Sequence, residues 1–149
     1  MEPAIAELAA LAARKPDLDY MQHCMQQREK ASRLDEYEHW DYELHMSIAR
    51  ATHNSLLIEL LDLVNRMRRT ASWRKFRVTS TLEEQRRTSN AQHRAIVQAI
   101  CEAHPEGAFS AMRMHVDFVS GRYQQYADDG NAAARRGSAV STPDQSKTL

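Results

Sequence analysis

The stretch from Asp35 to Thr52, DEYEHWDYELHMSIARAT, decides how the rest of the chain is read. Asp35 is a favourable N-cap, and Glu38 three residues later completes a capping-box spacing, so the stretch is expected to open a helix. Tyr37, Asp41, Leu44, His45, Ile48 and Thr52 then recur at helical spacing and share one face. Asp41 and His45 therefore sit one turn apart in the middle of a face that is otherwise apolar. A carboxylate and an imidazole turned inward together need partners, because burying polar groups unpaired costs several kcal/mol.

Working outward, the chain reads as all-α. Its 149 residues hold only four Gly and four Pro, and 42% are hydrophobic, enough for one domain with a real core. Twenty basic residues balance twenty acidic ones, which speaks against nucleic acid or an anionic membrane as the direct partner. Cys24 and Cys101 lie in helical patterns without CxxC spacing. They read as small core residues in a reducing, cytoplasmic setting. No signal peptide or apolar run of membrane-spanning length is present.

Six helices are expected. The first covers 3–14, with Ile5, Leu8 and Leu11 or Ala12 as its stripe. Pro16 ends it, and Asp17 caps a second helix to about Ser32 whose apolar side is Tyr20, Met21, Cys24, Met25 and Ala31. The third is the opening stretch. His53-Asn54-Ser55 forms a turn, with Asn54 in a left-handed C-cap position and Ser55 capping a fourth helix over about 56–78. That helix carries Leu57, Leu60, Leu61, Val64 and Met67 on one side and a basic cluster, Arg66 to Arg77, towards its end. Thr81 with Glu84 opens a fifth helix to about Ala103, and Pro105-Glu106 a sixth to about Ala127. Residues 129–149 are small, polar and aperiodic, and read as a disordered tail after a domain of residues 1–128.

The fifth and sixth helices supply the missing partners. His93 shares a face with Asn90, Ile96, Val97 and Ile100, and His115 with Ala108, Ala111, Met112 and Phe118. His93 lies eleven residues before His104 and His115 eleven after it, so an antiparallel hairpin turning at His104-Pro105 sets both at one level, about 16 Å from the turn. With Asp41 and His45 alongside, three imidazoles and one carboxylate converge. That donor set suits a divalent ion, zinc first, with nickel, manganese or iron also suited, and leaves one or two positions for water or a ligand. A lone inward histidine is more often a hydrogen-bonded core residue; four such groups at one level shift the balance to a metal.

The segments EP-AIAELAALAAR, D-YEL-H-MSIARATHN, AQ-H-RAIVQAI and AMRM-H, over about residues 2–120, resemble the effector-binding domain of GntR-family transcription regulators. The similarity is to the C-terminal FCD domain of the FadR subfamily, and six helices fit its VanR-like branch. The resemblance implies an antiparallel bundle with a central pocket, a metal held by Asp41, His45, His93 and His115, and a small carboxylate effector on the open positions. It also implies a homodimer, and operator DNA contacted only through an N-terminal winged helix-turn-helix. This chain shows no such segment, and Met1-Glu2-Pro3 enters the pattern partway, so it reads as an isolated sensor domain. Asn54, Asn65 and Arg69 are candidates for completing the carboxylate site. His104 stands where the family often has Asp, a change that touches helix capping rather than the pocket. Two rival readings are a DinB-like metal-dependent helical-bundle enzyme, with Tyr37, Glu38 or Glu84 as acid or base, and a metal-free helical interaction module.

Overall fold

A computed structural model describes residues 1–68 and 83–139, the side chains of 134–139 excepted. Among the described residues the chain forms α1 (Glu2–Ala12), α2 (Lys15–Lys30), α3 (Leu34–Arg50), α4 (Ser55–Met67), α5 (Glu83–Cys101) and α6 (Pro105–Ala139). Short connections at 31–33 and 102–104 fold α2 back on α3 and α5 back on α6, as such loops require. The main packed pairs are α1 with α6, α2 with α3 and α5 with α6; α1 also meets α3 and α5, and α2 meets α5. Helix α4 leans on α3. The core lies between these helices and is built from Ile5, Met21, Leu44, Ile48, Leu61, Ile96, Ile100 and Met112 with a set of alanines.

The buried side of α1 differs from the expected stripe. Ile5, Ala6, Ala9 and Ala10 face inward, while Leu8 and Leu11 are 43% and 67% exposed. Small residues let helix axes approach closely, and that tight fit against α6 selects the alanine face over the leucine face. In α2, Met21, Cys24, Met25 and Arg28 are the buried residues and Tyr20 turns outward. The Asp17 carboxylate accepts the Arg14 backbone N–H at 2.9 Å, so it closes the first turn from within.

Helix starts also depart from the expected caps. Asp35 does not cap α3; the helix begins at Leu34, and the Asp35 carboxylate takes two hydrogen bonds from the Arg33 guanidinium, at 3.0 and 2.7 Å. Before α4 the left-handed residue is His53, with φ 53°. Asn54 is the N-cap, accepting from the backbone N–H of Leu56 at 3.1 Å and of Leu57 at 3.4 Å. On α4, Leu61 is buried whereas Leu60 and Met67 are exposed. The expected continuation of this helix to residue 78, its basic cluster beyond Arg68, and the Thr81 cap lie outside the described residues. At the α5–α6 turn, His104 Nδ1 accepts the Gly107 N–H at 2.9 Å and so caps α6.

Helix α6 runs to Ala139, twelve residues past the expected end at Ala127. The extension carries a run of Ala and Arg, strong helix formers, and contains no proline, which outweighs the two glycines, Gly130 and Gly137.

Candidate metal centre

Helix geometry delivers the three histidines to one point. Leu44 and Ile48 bury their face of α3 and carry His45 inward; Ile96, Val97 and Ile100 do the same for His93, and Ala108 and Met112 for His115. His93 is fully buried, and His45 and His115 are 8% and 5% exposed. The rings of His93 and His115 stand 4.1 Å apart, as the equal spacing about His104 predicts, and His45 lies 5.2 and 5.4 Å from them. One nitrogen from each ring falls within 4.8 Å of the others.

The orientation of each ring follows from what its Nδ1 touches. His93 Nδ1 is 2.8 Å from the Ser89 backbone carbonyl, and His115 Nδ1 is 3.1 Å from the Gln92 amide oxygen. His45 Nδ1 is 2.8 Å from Glu2 Oε2. Neither of those two buried atoms makes a well-aligned hydrogen bond elsewhere, so each is the other's counterpart despite imperfect alignment. All three neighbours are acceptors, which places the proton on Nδ1 and leaves Nε2 with its lone pair. His45 Nε2 and His93 Nε2 then face each other at 3.0 Å. Two lone pairs that close repel unless a cation or proton lies between them. Two nitrogens of a tetrahedral zinc site stand about 3.3 Å apart, so the spacing fits a metal with little adjustment.

Electrostatics keep the buried imidazoles in the neutral form that a metal would need. Burial pushes His93 well below its ordinary range, and the nearby Arg28 charge pushes the same way. Burial, joined by His45, holds His115 down to about 3. Both imidazoles are therefore neutral at physiological pH. For Glu2, burial pushes upward, but the His45 contact and the Arg68 charge outweigh it and hold the carboxyl down to about 2. The unfolded chain binds protons at these positions that the fold excludes. Stability is thus fully present above the ordinary histidine value of 6.5 and drains away as pH falls towards 3. Denaturant titrations of the metal-free chain at pH 7 and pH 5 should differ by up to about 2 kcal/mol from His115 alone; equal stability at the two pH values would contradict this account of the buried histidines.

Asp41 reaches the same cluster with its charge already shared. Its Oδ1 is 3.6 Å from His93 Nε2 and 2.9 Å from Arg28 Nε. Arg28 is fully buried and spans three helices, donating to Asp41 on α3, to Ser89 Oγ at 2.8 Å on α5, and to Asn90 Oδ1 and the Tyr37 hydroxyl. It also stacks 4.1 Å from the Tyr37 ring centre.

A cavity of about 490 Å³ opens beside the cluster, lined among others by Glu2, Asp41, His45, His115, Asn65 and Arg68. The candidate Asn65 thus borders it. Asn54 does not; it is exposed and spent on capping α4. Arg69 lies outside the described residues, and its neighbour Arg68 supplies a guanidinium to the wall, bonded to Glu2 Oε1 at 2.7 Å. Sequence reasoning missed Glu2, Arg28, Gln92 and Arg68. Only Arg28 carried a signal, since it continues the Met21, Cys24, Met25 face of α2.

The profile of the FCD domain family matches residues 1–118. The chain is also similar to the Uxu operon transcriptional regulator of Escherichia coli (strain K12), 30% identical over 138 residues, which covers 86% of this chain and 51% of that protein. It therefore spans about half the length of the curated relative it matches. Among the described residues, no helix is long and apolar enough to cross a membrane. The helical bundle, its inward histidines and the family match agree, and the chain belongs to the FCD domain family of transcription regulators, not to an enzyme family.

Proposed function

We propose that this chain is the ligand-sensing and dimerisation part of a GntR/FadR-type regulator that binds one divalent metal, zinc foremost, and a small organic acid. The observation that carries the reading is the set of three imidazoles whose Nδ1 atoms all face acceptors, leaving each Nε2 its lone pair; His45 Nε2 faces His93 Nε2 at 3.0 Å, and one nitrogen of each ring lies within 4.8 Å of the others. His45, His93 and His115 would hold the ion, with Asp41 completing the set once its charge is divided between metal and Arg28. A bound metal supplies a Lewis-acidic seat for the effector's carboxylate. Asn65 and Arg68, on the cavity wall, are suited to the remaining oxygens. Effector binding across α3, α4 and α6 biases their packing, and in a longer protein that bias would reach operator DNA through a separate N-terminal domain. The relative's role in operon regulation, as its name states it, and the half of its length that this chain does not match support this arrangement. Exposed Leu8, Leu11, Leu56, Leu60 and Leu63 give a homodimer apolar surface to use. A cytoplasmic site of action follows from the same reading.

Two measurements test it together. Metal analysis of purified chain should find close to one zinc per chain. Thermal melts against a panel of di- and tricarboxylates should show saturable stabilisation by some members that disappears with a chelator. Stabilisation that survives chelation would remove the metal from effector binding.

A further inference from the structure

We propose that Glu2 is the residue through which the metal centre and the anion-binding wall of the cavity sense each other, an inference that rests on the metal-and-carboxylate reading above. Its carboxylate is 5% exposed and sits in the first turn of α1. One oxygen lies 2.8 Å from His45 Nδ1 and the other accepts from Arg68 at 2.7 Å. A single buried negative charge is therefore divided between a metal ligand and the guanidinium on the cavity wall.

The division gives the coupling its sign. A cation at His45 Nε2 draws electron density from the ring and makes Nδ1–H a stronger donor, so more of the Glu2 charge is spent on His45. Less is then left to neutralise Arg68, which becomes a better receptor for a carboxylate anion in the cavity. The reverse holds by linkage: an anion on Arg68 frees Glu2 for His45, and the more basic imidazole holds the metal more tightly. Glu2 is a positioning residue here, acting on the ion through His45. The simpler role, a staple fixing α1 to the end of α4, uses the same Arg68 contact but does not involve the metal.

Two variants separate these roles, because both break the staple and only one takes the carboxylate from His45. Zinc alone is titrated into the full chain, wild type, Glu2→Gln and Arg68→Gln, against a chelating dye, with circular dichroism to confirm equal helicity. The expected result is zinc affinity at least tenfold weaker in E2Q, within the 10–100-fold range for a ligand's outer partner. R68Q should bind zinc within twofold of wild type or more tightly. A loss smaller than tenfold in E2Q, or more than twofold in R68Q, overturns the inference and leaves the metal site standing. No zinc binding by the wild-type chain overturns both. Should E2Q not fold, NMR of the wild-type chain decides: zinc should shift the Glu2 carboxylate carbon and the Arg68 guanidinium signals, and stationary signals overturn the coupling.

Discussion

An Arg28→Ala chain will melt about 10 °C or more below the native protein. Arg28 is fully buried and its guanidinium serves Asp41, Ser89, Asn90 and Tyr37 at once. Truncation takes the Arg28 charge away from the Asp41 carboxylate, whose side chain is only 14% exposed, beside histidines that burial keeps neutral. Removing one partner of such a pair costs about 3–5 kcal/mol, and each kcal/mol moves the melting point of a chain this long by about 2–4 °C. Arg28→Lys should recover only part of the loss, since one ammonium cannot reproduce a planar fork of donors reaching both α3 and α5. Calorimetric melts of the metal-free proteins measure this. A shift below about 2 °C for the alanine variant would mean that the network contributes little to the fold.

His93→Ala should have the opposite profile, a modest effect on the fold and a large one on metal. The face of α5 keeps Ile96, Val97 and Ile100 in the core, so the helix stays docked. The proposed site loses its most buried histidine and the Nε2 that faces His45 at 3.0 Å. Zinc affinity should fall by more than about 100-fold, beyond what losing an outer partner costs. Competition with a chelating dye reads the change. Retention of native affinity would place the ion elsewhere.

These two variants also mark what could be read from the chain alone. The inward histidines were legible because each sits on an apolar helical face whose period is unambiguous, and because the α5–α6 turn fixes the level of His93 and His115. Their partners were not. Glu2 and His45 are 43 residues apart in sequence, and nothing local announces that a carboxylate in the first turn of one helix meets an imidazole of the third. Arg68 and Gln92 are likewise ordinary exposed-looking positions until the bundle closes. Arg28 was readable in principle, since a charged residue on a buried helical face has to be paired. The errors at α1 and α3 share a cause. Periodicity gives a face but not its depth, so the leucines of α1 outranked the alanines that actually pack, and Arg33 took Asp35 from its expected cap. The end of α6 escaped because Asp128-Asp129-Gly130 looks like a stop locally, while the Ala and Arg residues after it favour helix.

The central claim is that three imidazoles from three helices surround one cation. X-ray absorption spectroscopy at the zinc edge of the loaded protein tests it most directly. The expected first shell is three imidazole nitrogens at about 2.0–2.1 Å with one or two oxygens. A shell with sulfur at about 2.3 Å, or one with fewer than two imidazoles, would contradict it.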